Sequence, residues 1–263
     1  MIKLEKFNEK DYEIIYVLTD IHGTFEPFEK FWKNIKENDL NKKILIIIMG
    51  DSCDRGLKSK ELYDLYKEIN SFTNIKLIHL LGNHEQMLLN SIKNQLELNL
   101  WLSNGGTSTI YSFDDKYKNK YKNFQKASKK IYEQILKEQY NFKEKFSEYY
   151  KYIESFPHIL ESEHFIFVHA GINFNLSLEM QIPEEVLWRR DMWQKRNKSE
   201  KKIFYGHTPS PEVIVEQNCC NLDTGVCFGY KLSIAKIEKN KISLLEISNE
   251  NNKDLNKKVN EEI

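Results

Sequence analysis

Short runs of β-forming apolar residues, each ending at a cluster of ionisable or amide side chains, constrain the fold of this chain more than any other feature. Ile14-Ile15-Tyr16-Val17-Leu18 leads into Asp20-Ile21-His22-Gly23, Ile44 to Met49 into Gly50-Asp51, and Ile75 to Leu81 into Gly82-Asn83-His84-Glu85. Runs that are short and apolar throughout read as strands buried on both faces. Between them, Phe28, Phe31, Trp32 and Ile35 recur at helical spacing, as do Leu62, Leu65, Tyr66 and Ile69, so each intervening stretch carries one buried helical stripe. A further helix is expected through Leu88, Ile92 and Leu96. The β-α-β-α order implies a parallel sheet. Two later runs, Phe165-Ile166-Phe167-Val168 and Ile203-Phe204-Tyr205, stop at His169-Ala170-Gly171 and Gly206-His207-Thr208-Pro209. Ligand sites in open α/β sheets lie beyond the carboxyl ends of the strands, so these tips are expected to converge on one crevice.

The rest of the chain reads differently. Val213 to Val215, Lys231 to Glu238 and Ile242 to Ile247 show no helical period, and an antiparallel meander forming much of a second sheet is expected there, turning at Lys239-Asn240. Between Asn104-Gly105-Gly106 and Phe156, one stripe of Phe124, Ala127, Ile131 and Ile135 and another of Phe142, Phe146, Tyr149 and Ile153 predict two antiparallel helices, an insert at about residues 111–155. Residues 116–151 hold eleven lysines against four glutamates, and residues 111–152 hold eight of the fourteen tyrosines, which makes this insert locally basic and aromatic. A length of 263 residues fits one α/β domain over residues 1–247, followed by a polar tail at 248–263 that is expected to fray.

Lys+Arg and Asp+Glu both number 39, so overall charge steers the chain toward neither nucleic acid nor an anionic membrane. Cys53, Cys219, Cys220 and Cys227 lack zinc-type spacing, and reduced thiols in a cytoplasmic protein fit them best. The charged start Met1-Ile2-Lys3-Leu4-Glu5-Lys6 does not read as a signal peptide, and Ile44 to Met49 is too short to span a bilayer.

Asp20, His22, Asp51, Asn83, His169 and His207 all sit at strand ends and are hard or borderline metal ligands. Two divalent cations could be built from them, with Asp51 the candidate bridge, since a shared carboxylate can hold two cations roughly 3.5–4 Å apart around one phosphoryl group. Mixed imidazole and carboxylate donors suit manganese, iron or zinc better than calcium or magnesium. His79, His158 and His164 have no such setting and read as packed or surface histidines.

Asp20-Ile21-His22-Gly23, Gly50-Asp51-Ser52-Cys53-Asp54-Arg55-Gly56 and Gly82-Asn83-His84-Glu85 resemble the three signatures of the phosphoprotein phosphatase family of calcineurin-like metallophosphoesterases. His169-Ala170-Gly171, Gly206-His207-Thr208, Leu222-Asp223-Thr224-Gly225 and Trp101-Leu102-Ser103-Asn104-Gly105-Gly106 fall where bacterial and phage members carry similar sequences, so the resemblance spans about residues 14 to 235. It implies an α/β fold in which two mixed β-sheets form a sandwich flanked by helices, with a helical insert.

By the same resemblance one metal is held by Asp20, His22 and Asp51 and the other by Asp51, Asn83, His169 and His207, and a water between the cations is the nucleophile. His84 is then the proton donor to the departing alkoxide, oriented and charged by Asp54. Arg55 clamps the substrate phosphate with its planar fork, and Asn83 also contacts substrate. Val186-Leu187-Trp188-Arg189-Arg190-Asp191 offers a second clamp. A tryptophan followed two positions later by an arginine points to Arg190; the alternatives are Arg189, or both arginines paired with acidic neighbours. Gly23, Gly50, Gly56, Gly82, Gly171 and Gly206 border the ligand positions and are expected to serve tight turns or close backbone approach. Two departures stand out. Ser52-Cys53 replaces the usual aromatic or aliphatic pair and brings a thiol near the metals, either oxidation-sensitive or packed and inert, and Tyr230 stands where glycine often repeats.

The resemblance thus implies a phosphomonoesterase for phosphoserine or phosphothreonine in proteins, with phosphotyrosine and small phosphoesters as further substrates. Manganese is the leading metal. Symmetrical diadenosine tetraphosphate hydrolases share the scaffold, but often replace the aspartate that this chain keeps in Asp54-Arg55-Gly56. Nucleic-acid cleavage gains no support from the neutral charge. An inactive phosphate-binding scaffold is the non-enzymatic alternative, and it should lack ligands or the acid, which this chain retains. The basic insert reads either as a solvated helical hairpin or as a cap that recruits phosphorylated substrate. Nothing in the sequence points to an oligomeric state.

Overall fold

In the computed structural model, which describes residues 1–197, 199–239 and 241–249, each of the five apolar runs forms a strand. They are β2 (Ile14–Leu18), β3 (Ile44–Ile48), β4 (Ile75–His79), β6 (Phe165–Val168) and β7 (Lys202–Tyr205). Shorter strands are β1 (Leu4–Lys6), β5 (Ile159–Glu161), β8 (Ile214–Glu216) and β9 (Cys219–Asn221), and β10 (Lys231–Glu238) and β11 (Lys241–Ser248) are long.

Two mixed sheets result. One runs β11-β10-β2-β3-β4, with β2, β3 and β4 parallel and β10 antiparallel to β2. The other runs β1-β5-β6-β7-β9-β8, with β6, β7 and β9 parallel. The expected meander is therefore divided. β10 and β11 extend the first sheet, β8 pairs with β9 at the edge of the second, and the second sheet is founded on β6 and β7. Glu238 pairs with Lys241 as a tight hairpin requires. Asn240 of the expected turn, and residues 250–263 of the expected tail, lie outside the described residues.

Why the runs are apolar throughout follows from the layers. Ile15, Val17, Leu45 and Ile47 meet Phe167, Phe204 and Cys220 of the second sheet, whereas Ile14, Tyr16, Leu18, Ile44, Ile46 and Ile48 pack with Phe28, Phe31, Trp32 and Ile35 of helix α1 (Phe25–Asn38). Both faces of β2 and β3 are buried, and each large apolar side chain contributes about 1.5–3 kcal/mol. Helix α2 (Ser59–Ile69) buries Leu62, Leu65, Tyr66 and Ile69 as its spacing predicts.

The helix expected through Leu88, Ile92 and Leu96 is broken into α3 (Asn83–Asn90) and α4 (Gln95–Trp101). The Ser91 hydroxyl donates to the Leu88 carbonyl and the Asn94 side chain caps α4 by accepting from Glu97 N, so polar side chains end one helix and start the next. Leu96 is consequently 74% exposed. The insert is also more divided than expected, comprising α5 (Thr107–Phe113), α6 (Asp115–Lys120), α7 (Phe124–Lys137), α8 (Phe142–Lys145) and α9 (Ser147–Glu154). Ala127, Ile131 and Ile135 form the buried stripe of α7, while Phe146 leaves helical geometry and separates α8 from α9. All its lysines but the half-buried Lys118 are exposed, and none of its tyrosines is exposed. Helix α10 (Pro183–Trp188) precedes the two adjacent arginines. Among the described residues no helix is long and apolar enough to cross a membrane.

Candidate metal and phosphate site

The carboxyl ends of β2, β3, β4, β6 and β7 meet even though they belong to two sheets. Backbone bonds stitch the tips together: Asp20 N donates to Gly50 O at 3.1 Å, His22 N to Asp51 O at 2.8 Å and Gly206 N to His169 O at 2.8 Å. Gly82 shows the closeness of this approach, because a Cβ there would lie 2.2 Å from Asp51 Oδ1. Positive φ is carried less by glycine than expected. Gly23 and Gly50 adopt it, but so do Asp20 (51°), His22 (47°), Asp51 (55°), Asp54 (71°), Arg55 (63°) and His207 (69°). Such conformations persist where surrounding structure over-determines them, and they cluster at functional sites.

Asp51 is the hub. Its Oδ1 accepts from His84 N at 3.0 Å, and its Oδ2 lies 3.4 Å from His22 Nε2, 3.5 Å from His169 Nε2 and 3.9 Å from His84 Nε2. Potential ligand atoms fall into two groups that share it, His22, Asp51 and His84 on one side and Asp51, His169 and His207 on the other. Asp20 joins the first group: its Oδ2 accepts from Thr19 Oγ1 and His207 N, and its Oδ1 stands 3.8 Å from His22 Nε2. Asn83 joins the second, with Oδ1 2.9 Å from His169 Nε2.

His22 and His169 are oriented so that each could serve as a ligand. His22 Nδ1 donates to Cys53 O at 2.9 Å and His169 Nδ1 to Met49 O at 2.8 Å, which leaves each Nε2 lone pair toward the cluster. Burial, with His84 alongside, holds His22 well below the ordinary histidine range, and burial beside His169 lowers His207 to about 3. Burial opposes ionisation of Asp51, yet His169, His84 and His22 outweigh it and hold the carboxyl below its usual range. A buried carboxylate ringed by imidazole nitrogens, with a second carboxylate and an amide oxygen, fits divalent transition metals.

His84 differs from the other histidines. Its Nδ1 is bound to Asp54 Oδ2 at 2.7 Å, and burial of its charge is outweighed by Asp51 and Asp54, which raise its pKa. Arg55 spans the two sides of the first group, with Nη1 2.6 Å from His22 Nε2 and Nη2 3.0 Å from His84 Nε2. The two arginines after Trp188 part company. Arg189 pairs with Glu185 and Asp191, whereas Arg190 Nε lies 3.1 Å from His207 Nε2. Cys53 is buried, and burial next to Asp54 pushes its thiol far above the ordinary range, as a packed, inert cysteine requires. His79 and His158 are buried away from the site and His164 is exposed.

All the residues expected at the site are thus together, and others join them unannounced. Glu85, fully buried, accepts from the backbone N–H groups of Asp51, Ser52, Cys53 and Gly82. Its place next to His84 was the available signal. Trp101 and Thr109 both bond Asp54. Trp101 lay in a recognisable stretch without an evident task, and nothing marked Thr109. Asp223, whose carboxyl is pushed up to about 8 by burial and by Asp20, approaches from the end of β9.

Comparison with known proteins agrees with this geometry. Residues 14–245 match the calcineurin-like phosphoesterase family. An asymmetrical bis(5'-nucleosyl)-tetraphosphatase, PrpE, of Bacillus cereus is 28% identical over 243 residues, covering 82% of this chain and 87% of its own. Serine/threonine-protein phosphatase 2 of Escherichia coli is 26% identical over 251 residues, covering 90% and 98%. A solved structure described as a putative diadenosine tetraphosphatase shares the fold, with a TM-score of 0.65 at 15% identity over 95% of this chain and 100% of that one. The chain belongs to the calcineurin-like phosphoesterase family and is a metal-dependent phosphoester hydrolase.

Proposed function

We propose that this hydrolase is a phosphomonoesterase acting on phosphoserine and phosphothreonine in proteins, with two divalent ions, manganese preferred and iron or zinc able to substitute. The observation that carries this reading is the buried His84–Asp54 pair beside Arg55. Serine and threonine leave as strongly basic alkoxides, so their departure gains most from a positioned proton donor, typically about 10²–10⁴-fold. A nucleotide leaves as a far less basic phosphate oxygen and needs such a donor less.

Asp20, His22 and Asp51 would hold one cation, and Asp51, Asn83, His169 and His207 the other. Divalent cations there supply Lewis acidity toward the phosphoryl oxygens and a lowered pKa for water. Arg55 grips two phosphate oxygens with its fork, and Arg190 approaches from the His207 side, where Asn83 also lies within the same group. His84 donates its Nδ1–H to Asp54, and Nε2 delivers a proton to the leaving oxygen.

The test is hydrolysis by metal-stripped protein, reloaded with one metal at a time, of a phosphoserine peptide, an aryl phosphate and diadenosine tetraphosphate, with Asp51→Asn as the control. Manganese-dependent peptide turnover that the substitution abolishes supports the proposal. Turnover of the dinucleotide alone would transfer the assignment to dinucleoside polyphosphate hydrolysis, which similarity to the Bacillus cereus tetraphosphatase favours. No turnover with any metal would leave an inactive phosphate-binding scaffold.

A further inference from the structure

His84 is not the only group that Asp54 serves. The Asp54 carboxylate is wholly buried, and every bond it makes is defined: Oδ2 to His84 Nδ1 at 2.7 Å, both oxygens to Trp101 Nε1 at 3.0 Å each, and Oδ1 to Thr109 Oγ1 at 2.6 Å. Thr109 Oγ1 in turn accepts from the Asp54 backbone N–H at 2.8 Å, so one hydroxyl clasps both the main chain and the side chain of the residue. Trp101 and Thr109 are themselves fully buried.

These two residues come from opposite sides of one tight connection, Trp101 ending α4 and Thr109 lying in α5. Gly106 between them permits the approach, because a Cβ there would lie 2.6 Å from the Trp101 ring. On its far side the Trp101 ring meets Phe142 of α8 edge to face at 5.9 Å, and Phe142 is packed against Phe113 at 5.1 Å. The base of the helical insert therefore braces the indole that braces the carboxylate.

The terminal torsion of an aspartate is broad and roughly two-fold, so a carboxylate bonded only to an imidazole can rock and take the ring with it. Donors from Trp101 and Thr109 remove that freedom. We propose that Trp101 and Thr109 are positioning residues that pin the Asp54 carboxylate and thereby aim His84 Nε2 at the leaving oxygen. This inference rests on the reading of His84 as proton donor. In that step a water oxygen bonds to phosphorus and sheds a proton to solvent as the P–O bonding pair departs with the ester oxygen, which takes the Nε2 proton; His84 is left neutral, its Nδ1–H still donated to Asp54.

A positioning role makes a signature that general loosening of the fold does not: dependence on the leaving group. The experiment measures kcat and KM of the manganese-loaded protein on a phosphoserine peptide and on p-nitrophenyl phosphate, whose leaving group needs little protonation. The variants are Trp101→Phe, Thr109→Val, Thr109→Ser and Asp54→Asn, each checked by circular dichroism and by calorimetric titration with Mn2+. Trp101→Phe and Thr109→Val are expected to lower kcat on the peptide by about tenfold or more, part of the range a general acid supplies, with KM within about twofold. On p-nitrophenyl phosphate they should lower kcat by less than about threefold, with Mn2+ affinity unchanged, and Thr109→Ser should recover most of the peptide activity. Equal losses on both substrates, or no loss on the peptide, while Asp54→Asn remains selective for the poor leaving group, would overturn the proposal. An Asp54→Asn protein without that selectivity would instead refute the proton-donor reading on which it rests. If Trp101→Phe does not fold, the Thr109→Val and Thr109→Ser pair decides the matter by the same criteria.

Discussion

Replacing Glu85 by glutamine is expected to weaken the fold and the metal site together. Glu85 Oε2 accepts from Asp51 N at 2.8 Å and Gly82 N at 3.2 Å, while Oε1 accepts from Ser52 N at 2.8 Å, Cys53 N at 3.2 Å and Tyr63 Oη at 3.3 Å. A glutamine keeps one acceptor oxygen and turns the other into a donor. Either orientation of the amide therefore sets its NH2 against at least two buried backbone N–H groups. Each such group costs about 1–3 kcal/mol when it loses its acceptor, so the substitution should destabilise the protein by about 2–6 kcal/mol. That is a large part of the roughly 5–15 kcal/mol that holds a typical domain together. The same N–H groups fix the left-handed backbone at Asp51, whose φ is 55°, and so aim the carboxylate shared by both ligand groups. Losing an outer-shell partner of this kind typically lowers metal affinity about 10–100-fold. Urea unfolding of the chelator-treated protein measures the first quantity, and calorimetric titration with Mn2+ measures the second. Destabilisation below about 1 kcal/mol together with unchanged metal affinity would refute the reasoning.

Arg55→Lys retains the charge but not the fork, and the loss of a charge-assisted bond worth about 1.5–3 kcal/mol should lower kcat/KM on a phosphoserine peptide roughly 10–100-fold, read from steady-state kinetics. Mn2+ at about one hundred times its dissociation constant should stabilise the protein by about 2.7 kcal/mol, a rise in melting temperature that a chelator reverses and that Asp51→Asn does not show. Gly105→Ala meets both a φ of 111° and a Cβ only 2.9 Å from Arg55 N, so it should cost about 1–3 kcal/mol in chemical denaturation and displace the Arg55 backbone. A Gly105→Ala protein as stable as the parent would show that this loop is not constrained as described.

Much of the candidate site is legible in the sequence because its residues are tied to local patterns. An apolar run of Ile14 to Leu18 or Ile44 to Ile48 marks a strand by itself, and the next polar residue marks its tip. Asp20, His22, Asp51, Asn83, His169 and His207 were legible in this way, and their mutual proximity followed from the rule that strand ends converge. Residues that act through distant backbone were not legible. Glu85 accepts from main-chain groups 32 to 34 residues earlier, at Asp51, Ser52 and Cys53, and a peptide N–H carries no side-chain identity for a pattern to match. Thr109 reaches Asp54 across 55 residues, from a helix whose register alone turns the hydroxyl inward.

The sheet assignment divides along the same line. Phe165–Val168 and Lys202–Tyr205 are as apolar as β2 and β3 apart from the leading lysine, so each was recognisable as a strand while its sheet was not. Strand pairing is made by backbone hydrogen bonds between remote segments, and only closure of the sandwich around Phe167 and Phe204 decided which strands pair. Arg189 and Arg190 show the same division on the smallest scale. They are chemically identical neighbours, and the geometry at the end of α10 alone gave one to Glu185 and Asp191 and the other to His207. Periodicity and residue chemistry are properties of a few consecutive residues and are legible in the chain, whereas partner choice depends on segments brought together only by burial of the common core.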